Sequence, residues 1–585
     1  MPAPPRVPPL LAVVGERDPL ATPARVESTA TDARTAGRTI EFRRIPGYGH
    51  TLVVGAVLPD VVDWLLHQPP IGPPPDCRGP RDDTRVGLTP PRQRDVRDGG
   101  MSAPRPFDPD ADDVRALGEA VAALVARHFA ALPSLPVVPA VTPAETFAAF
   151  RDAVPEEPAD WPSLLEWFEH EVVPRSFHLP SPRYFGLMNP TPLPIAVFAE
   201  ALAATLNQNV GAWHHSPAAT AIEAQVVRWL CEIVGYPYGA FGSLTSGGTQ
   251  ANTTGLKIGL AAKAPASTTA GLFGLARRPV LYASAEAHFS IEKSANILGL
   301  GTGGLRKVPV DRDSRMDVAA LRRMIAEDRA AGLEPFCVVG IAGVTSNGVI
   351  DPLDAIADVA DETGLWYHVD AAYGAGGLMS DALRPAYRGI ARADSVTVDP
   401  HKWWYLPYPC GACLTKDGAA ARRAFVHEAV YIPQTDDAIE FRDHGMIGSR
   451  PFSALKLWLA MKLVGRRAYG RLAEEQVDLS RRFARELAAA GDWVTVAPVD
   501  TAIAAVRWTG RAGVPGHGCT EEELDAAQDR IVARVLAGRR HWISPTTTVG
   551  RRAIRVMVIS YLTRWEHLAE LIAALREAAR AEERA

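Results

Sequence analysis

The chain has 585 residues, of which 47% are hydrophobic and 22% are charged, and its formal net charge is −5. A chain of this length and composition can form a large core and more than one domain. Its net charge is weak and it has no basic stripe or acidic tail, so no nucleic-acid partner is predicted. No apolar run is long enough to span a membrane, the amino terminus lacks a signal-peptide core, and six cysteines indicate no disulfide framework, so the cytoplasm is the expected compartment.

Residues 1–67 are predicted to form a separate fragment. An apolar strand ends at the acid Asp18, a second strand covers Arg38–Phe42, and His50 follows before a short helix at 60–66. An acid, a histidine and a closing helix in this order resemble the carboxyl end of an α/β-hydrolase. The nucleophile of such an enzyme would lie upstream, and no Gly-x-Ser-x-Gly motif occurs, so esterase activity is not expected.

Residues 68–110 are rich in proline and arginine and poor in apolar side chains, which predicts a disordered linker. Within it, Met101 opens a stretch that is typical of a natural amino terminus. We therefore expect residues 1–100 to be either a fused hydrolase remnant or the product of an over-extended translation start. An intact mass that matches the whole chain would exclude the second interpretation.

Residues 111–185 are predicted to form a helical segment. Asp112 or Asp113 is the expected amino-terminal cap of its first helix. The apolar stripe of that helix, at helical spacing, consists of Val114, Leu117, Val121, Leu124 and Val125. Such a stripe packs either within one subunit or across a dimer.

A run of small residues, Gly242–Asn252, precedes a helix-compatible stretch. Backbone N–H groups at Gly247 and Gly248, with the hydroxyl of Thr249, can hold a phosphate at a helix amino terminus. The run matches neither the nucleotide-binding nor the dinucleotide-binding glycine pattern. Further along, a predicted strand leads into a loop with His288, whose imidazole can stack on a heterocycle and manage protons.

Two later strands end in groups of opposite charge. The first, Trp366-Tyr-His-Val-Asp370, ends in a carboxylate, and the second, Ser395-Val-Thr-Val-Asp-Pro-His-Lys402, ends in an amine beside an apolar wall. Ligands of open α/β sheets bind beyond the carboxyl ends of the strands, so the two side chains are expected to share a pocket. A buried carboxylate can hold a protonated ring nitrogen and a lysine can form a Schiff base, and pyridoxal 5′-phosphate (PLP) needs both.

These motifs, in this order, resemble those of the group II PLP-dependent amino-acid decarboxylases, which include aromatic-amino-acid, histidine, glutamate and diaminobutyrate decarboxylases. The resemblance covers residues 101–585 and implies an α/β protein of fold type I, the aminotransferase-like architecture. Residues 186–420 would form a large PLP-binding domain with a mostly parallel sheet. Residues 421–585 would form a helical connection with a mobile loop and a small carboxyl-terminal α/β domain, whose clearest strand is Ala553–Ser560.

The resemblance also implies a homodimer, in which the helices of residues 111–185 pack across the interface and the active sites lie between subunits. It implies that Lys402 carries the cofactor as a Schiff base, that Asp370 pairs with the pyridine nitrogen, and that His288 stacks on the ring and takes part in catalysis. The cofactor-binding residues would be Gly247, Gly248, Thr249, His288, Thr345, Asp370, Ala372, His401 and Lys402. No metal is expected, because Cys410-Gly-Ala-Cys413 lacks a second ligand pair.

The implied reaction converts an L-amino acid into the corresponding amine and carbon dioxide. In the family, a tyrosine on the mobile loop helps to reprotonate the α carbon, and counting back from Arg450 without gaps puts Phe441 at its position. That register would favour an oxidative deaminase that produces an aldehyde, whereas Tyr431 or His444 could restore ordinary decarboxylation. A PLP carbon–carbon lyase and an inactive homologue are the remaining alternatives.

The identity of the substrate cannot be predicted from the sequence. Ungapped matching places Met188, Asn189, Asn209 and Gly211 where aromatic decarboxylases have bulky apolar residues, so the pocket wall is expected to be more polar and roomier. Asn207 and Asn209 are as typical of residues that cap the backbone as they are of residues that contact a substrate.

Overall fold

The computed structural model describes five ranges of the chain, the first two only as backbone strands: 10–15, 40–45, 110–426, 438–510 and 520–582. The chain divides into two units, Met1–Arg94 and Asp95–Ala585. In the first unit, β1 (Leu10–Gly15) pairs in parallel with β2 (Ile40–Ile45). Both strands lie close to the predicted positions.

The acid and the histidine of the hydrolase-like pattern, Asp18 and His50, lie outside the described residues. The predicted linker at 68–110 lies outside them too, except for its last residue, Asp110. The interpretation of residues 1–100 therefore stays a prediction.

The second unit begins with three helices, α1 (Ala111–Ala131), α2 (Pro143–Ala149) and α3 (Trp161–Trp167). Asp110 caps α1, because its side chain accepts a hydrogen bond from the N–H of Asp112 at 2.7 Å. The prediction that Asp112 or Asp113 is the cap is wrong, since both lie in the first helical turn, where a negative charge favours the helix dipole. No residue of α1 is buried in the single chain.

The central domain alternates helices and strands. Its helices are α4 (Pro194–Leu206), α5 (Pro217–Val234), α6 (Gly248–Lys263), α7 (Phe289–Ile297), α8 (Val318–Ala330), α9 (Leu353–Thr363) and α10 (Gly418–Phe425). Its strands are β3 (Phe241–Thr245), β4 (Pro279–Ser284), β5 (Leu305–Val308), β6 (Glu334–Ile341), β7 (Trp366–Asp370), β8 (Ser395–Val398) and β9 (Gly411–Thr415). Every residue of β7 and β8 is buried, as expected for a sheet covered on both faces.

These strands form one sheet of seven in the order β3-β9-β8-β7-β6-β4-β5. β9 runs antiparallel to both of its neighbours, and all the other pairings are parallel. The six strands other than β9 therefore point the same way, and the loops that follow them meet at one edge. The predicted α/β class with a mostly parallel sheet is confirmed.

The carboxyl-terminal part consists of α11 (Ala454–Val464), α12 (Arg466–Ala488), β10 (Trp493–Thr495), β11 (Ile503–Trp508), α13 (Glu521–Ala537), β12 (Ser544–Thr548), β13 (Arg551–Met557) and α14 (Trp565–Glu582). Its strands form an antiparallel sheet in the order β10-β11-β13-β12. The clearest strand predicted for this part, Ala553–Ser560, overlaps β13, and its separation as a small domain stays a prediction. Among the described helices, none has the length and apolar character that crossing a bilayer requires.

Candidate active site

A cavity of about 390 Å³ lies where the parallel strands end. Its walls come from the loops after β3, β4, β6, β7 and β8. All of the residues that the sequence analysis assigns to cofactor binding line this cavity: Gly247, Gly248, Thr249, His288, Thr345, Asp370, Ala372, His401 and Lys402. The common direction of the strands brings them together from distant parts of the chain.

The loop after β3 forms one end of the cavity. Gly247 is the amino-terminal cap of α6, and the N–H of Gly248 donates a hydrogen bond to Oδ2 of Asp399 at 2.9 Å. A Cβ atom at Gly247 would lie 3.0 Å from the His401 ring, and one at Gly248 would lie 2.7 Å from Oδ2 of Asp399. Glycine at both positions lets the loop pack closely against His401 and Asp399, and the amino terminus of α6 favours a bound anion.

Asp370 supplies a buried carboxylate at the end of β7, with 6% of the residue exposed. Its Oδ2 accepts a hydrogen bond from Nδ2 of Asn252 at 2.9 Å, and its Oδ1 accepts one from the N–H of Ala372 at 3.1 Å. A buried carboxylate needs such donors, because burial without them strongly disfavours its charged form. The remaining lone pairs are available to a protonated group in the cavity.

His288 is held as the amino-terminal cap of α7. Its Nδ1 accepts a hydrogen bond from the N–H of Ser290 at 3.2 Å, which places the ring proton on Nε2. Burial lowers the pKa of His288, and this effect outweighs the opposing influence of Asp370. The ring is therefore neutral near pH 7, so it can pack against a flat heterocycle without adding a positive charge.

Lys402 supplies the amine of the cavity. Its Nζ lies 3.0 Å from Oδ2 of Asp399, and the side chain of Lys402 is 20% exposed whereas that of Asp399 is 1% exposed. Oδ1 of Asp399 is buried and has no hydrogen-bond partner among the described residues. The amine is thus held at the end of the cavity that also contains the Gly248 N–H.

His401 lies between Lys402 and the glycine loop. Its Nδ1 accepts a hydrogen bond from the N–H of Cys410 at 3.0 Å, and its ring centre is 4.2 Å from that of Tyr408. Burial lowers the pKa of His401 to about 4, so the ring is neutral and carries its proton on Nε2. That N–H is a donor suited to an anion at this end of the cavity.

These groups fit PLP. The glycine loop and His401 offer N–H donors to a phosphate, and added side chains at Gly247 or Gly248 would crowd that end. Asp370 offers a carboxylate to a protonated ring nitrogen, and Lys402 offers an amine to an aldehyde. The donor set therefore matches the chemistry of each end of that cofactor.

Other residues that line the cavity were missed by the sequence analysis. They include Ser246, Gln250, Asn252, Ser290, Tyr373, Asp399 and Tyr408. Asn252 had one detectable signal, since it is an amide one helical turn after the glycine loop. Asp399 stands within a quoted motif, but its contact with Gly248 depends on the antiparallel strand β9 beside β3, which no local pattern predicts.

Phe441 does not lie at the cavity. Its side chain is 0% exposed, its ring packs 5.9 Å from that of Phe241, and the guanidinium of Arg450 lies 4.9 Å above it. The ring of Phe441 thus packs in the core of the described chain. The ungapped match of Phe441 to the reprotonating tyrosine of the family stays a prediction.

His444 does not line the cavity of this chain either. Its Nδ1 contacts the carbonyl oxygen of Glu440 at 3.0 Å, and its ring lies 4.3 Å from that of Phe241. Burial lowers the pKa of His444, as expected for a ring packed in apolar surroundings. Tyr431 lies outside the described residues.

Arg450 connects several segments near the glycine loop. Its guanidinium forms an ion pair with Glu223 and donates to the carbonyl oxygens of Leu244 at 2.8 Å and Val210 at 3.3 Å. The side chains of Arg450 and Glu223 are 7% and 0% exposed. Since Leu244 belongs to β3, this cluster supports the strand that leads into the glycine loop.

Arg450→Leu is expected to lower the free energy of unfolding by about 3 to 5 kcal/mol, because it leaves the charge of Glu223 buried without a partner. Urea unfolding of the protein measures the change. Arg322→Leu is the matched control, since it breaks an ion pair with Glu362 whose side chains are 45% and 54% exposed. We expect that control to shift stability by less than about 1 kcal/mol, and equal shifts for the two variants would contradict the prediction.

The residues proposed for a substrate wall have structural roles. Oδ1 of Asn209 accepts hydrogen bonds from the N–H groups of Gly211 and Arg450 at 3.0 and 2.9 Å, and Asn207 ends α4 in the left-handed conformation with φ 46°. The capping interpretation of both asparagines is confirmed. In the described chain, none of the four wall candidates, Met188, Asn189, Asn209 and Gly211, lines the cavity.

Comparisons with known proteins show which proteins the chain is similar to. A family model described as the pyridoxal-dependent decarboxylase conserved domain matches residues 143–508. An aromatic-L-amino-acid decarboxylase of Bacillus atrophaeus is 28% identical over 466 residues, which cover 79% of this chain and 94% of that protein. An L-2,4-diaminobutyrate decarboxylase of Rhizobium meliloti (strain 1021) is 38% identical over 275 residues, 46% of this chain and 54% of that protein. The crystal structure of Oryza sativa TDC with PLP and tryptamine has a TM-score of 0.77 at 25% identity and covers 82% of this chain and 100% of that chain.

Proposed function

We propose that this chain, which belongs to the pyridoxal-dependent decarboxylase family and is therefore a carboxy-lyase that uses PLP, converts an L-amino acid into its amine and carbon dioxide. In this proposal Lys402 is the Schiff-base lysine. The observation that carries it is the meeting of Lys402, Asp370 and the glycine loop in one cavity. An amine, a buried carboxylate and an anion-binding helix terminus are the three anchors that PLP requires.

The neighbouring residues support specific roles. Gly247, Gly248 and Thr249 would hold the phosphate at the amino terminus of α6, with the Nε2–H of His401 beside them. Thr345, in the loop after β6, and Ala372, in the loop after β7, would flank the ring. Each of these residues reaches the cavity because it lies in a loop that follows a strand of the mostly parallel sheet.

Asp370 would hold a proton on the ring nitrogen of the cofactor, because a buried carboxylate favours a positive charge beside it. Bound PLP supplies an electron-withdrawing ring, which accepts the electrons released when carbon dioxide leaves. His288, neutral and fixed by the Ser290 N–H, would stack on the ring and hold its Nε2 proton ready beside the reacting carbon.

A homodimer is part of this proposal. Large apolar residues on α1, α3 and α4 are more than half exposed in the single chain: Val114, Leu164, Leu202 and Leu206. Burying such residues against a second copy would release water from apolar surface, which is the main driving force of association. Light scattering after gel filtration should give the mass of two chains, and the mass of one chain would refute the dimer.

The cytoplasm remains the proposed compartment.

Oxidative deamination is the alternative on the same scaffold. Its argument from this sequence is the ungapped match of Phe441 to the reprotonating tyrosine of the family, and Phe441 is buried and does not line the cavity of the described chain. Tyr431 remains the candidate for reprotonation of the α carbon. An inert homologue and a carbon–carbon lyase are less well supported, because the full set of PLP anchors is present and the family is one of decarboxylases.

A panel of L-amino acids tests the proposal, with carbon dioxide, amine, oxygen uptake and aldehyde measured in each reaction. We expect one substrate class to give carbon dioxide and amine in equal amounts without oxygen consumption. Oxygen uptake matched by aldehyde and ammonia would instead establish the oxidative alternative. A lack of any product across the panel, with PLP bound, would contradict both.

The role of Tyr431 can be tested in the same assay. Tyr431→Phe removes the hydroxyl proposed to return a proton to the α carbon, so we expect the amine to be partly replaced by aldehyde, with oxygen consumed. Tyr561→Phe is the matched control, since Tyr561 donates its hydroxyl to the carbonyl oxygen of Pro192 at 3.1 Å and does not line the cavity. An unchanged product ratio in Tyr431→Phe would exclude that tyrosine.

A further inference from the structure

A row of buried polar side chains leads from Asp370 to Trp366. Nδ2 of Asn252 is 2.9 Å from Oδ2 of Asp370, and Oδ1 of Asn252 is 3.0 Å from Nε2 of His368. Nδ1 of His368 is 2.8 Å from Oγ of Ser395, which is 2.8 Å from Nε1 of Trp366. Asn252, His368, Ser395 and Trp366 are at most 5% exposed.

The direction of each hydrogen bond in this row can be derived from its two ends. Asp370 as a carboxylate only accepts, so the amide nitrogen of Asn252 must face it. That orientation leaves the amide oxygen of Asn252 facing His368, and an oxygen of this kind also only accepts. His368 must therefore carry a proton on Nε2 and donate it to Asn252.

The hydrogen bonds at the Trp366 end of the row run in the same direction. An indole N–H only donates, so Trp366 donates to Oγ of Ser395. Burial lowers the pKa of His368 to about 4, so the ring carries a single proton, and its Nδ1 must accept from the hydroxyl of Ser395. All donors in the row thus point from Trp366 towards Asp370.

The row is also sterically locked. A Cβ atom at Gly255 on α6 would lie 2.6 Å from the His368 ring, so the ring packs directly against the helix backbone. Nδ2 of Asn252 also contacts Oγ of Ser290 at 2.9 Å, which fixes the amide plane from a second side. Neither His368 nor Asn252 can rotate away without leaving a buried polar group unpaired, which is costly.

We infer that Asn252, His368 and Ser395 are positioning residues, whose one-directional hydrogen bonds hold Asp370 as an oriented, proton-free acceptor for the ring nitrogen of PLP. The inference rests on the proposed function and goes beyond it, because it assigns the protonation of the cofactor to a chain of residues rather than to Asp370 alone. Asn252 donates to one carboxylate oxygen of Asp370, which leaves further lone pairs of the carboxylate for a protonated group in the cavity.

The pair His368→Leu and His368→Gln tests this inference. Leucine removes the donor to Asn252, whereas glutamine can keep a donor for Asn252 and an acceptor for Ser395. The first readout is the nitrogen NMR shift of isotope-labelled PLP in the holoenzyme, which reports whether the ring nitrogen is protonated. The second is the affinity of the apoenzyme for PLP, and the third is the division of the activity loss between kcat and KM.

For His368→Leu we expect loss of the protonated-nitrogen signal, about tenfold weaker PLP binding and about tenfold lower kcat with KM within twofold. His368→Gln should restore all three towards wild type, which a purely structural role for His368 would not predict. A protonated signal and unchanged PLP affinity in His368→Leu would overturn the inference.

Ser395→Ala is the smaller second variant, in case His368→Leu fails to fold. It removes the hydroxyl that fixes the His368 tautomer, and we expect weaker PLP binding by about threefold. Unchanged affinity of Ser395→Ala for PLP would contradict the positioning role of these residues. If the wild-type protein itself bound no PLP, the proposed function would fail, and this outcome is distinguishable from failure of the variants alone.

Discussion

Lys402→Ala is expected to abolish the production of both amine and carbon dioxide, with kcat/KM falling by more than about a thousandfold. The substitution removes the amine that would hold the cofactor and exchange it with the substrate. It also removes the ion pair of Asp399, whose side chain is 1% exposed, so circular dichroism is needed to show that the variant folds. Steady-state assays with the best substrate of the panel measure the loss.

A second lysine provides the control for this experiment. Lys307 lies on β5, its side chain is 59% exposed, and it pairs with Glu292 on the protein surface. Lys307→Ala should retain activity within about twofold, because exposed ion pairs contribute little to stability. Turnover by folded Lys402→Ala at the rate of the control would refute the assignment of the lysine.

Asp370→Asn is expected to lower kcat by about a hundredfold to a thousandfold, the scale seen when one preorganised electrostatic partner is removed. The amide is nearly the same size as the carboxylate, but it has no charge to favour a protonated ring nitrogen. Asn252, which donates to Oδ2 of Asp370, would also meet a weaker acceptor. Single-turnover kinetics with saturating PLP separate this loss from weaker cofactor binding.

The control for Asp370 is an acid on the surface. Asp358 lies on α9, its side chain is 55% exposed and it pairs with Arg392. Asp358→Asn should leave kcat unchanged within experimental error. A kcat for Asp370→Asn within a few fold of this control, in folded protein with PLP bound, would mean that the carboxylate does not tune the cofactor.

The parts of the site that could be predicted from the sequence are those carried by short local patterns. Asp370 ends a buried strand, the glycine loop and Lys402 lie within a few residues after one, and parallel strands deliver their carboxyl ends to one edge. The position of these residues around a single cavity could therefore be anticipated. Their chemical roles remain predictions until the variants above are measured.

The features that were missed depend on tertiary packing. The contact of Asp399 with Gly248 and the row from Trp366 to Asn252 join residues that are distant in sequence. The burial of Phe441 against Phe241 and Arg450 depends on where the chain turns into the core, which an ungapped count along a loop does not show. The capping role of Asn209 was anticipated, but one of its partners, the N–H of Arg450, lies far along the chain, which no local spacing reveals.

Reduction of the native protein with borohydride in the presence of PLP, followed by peptide mass mapping, tests the attachment of the cofactor most directly. We expect one reduced pyridoxyl phosphate group per chain, on the peptide that contains Lys402. A cofactor attached to a different lysine, or no attached cofactor in folded protein, would contradict the proposed site.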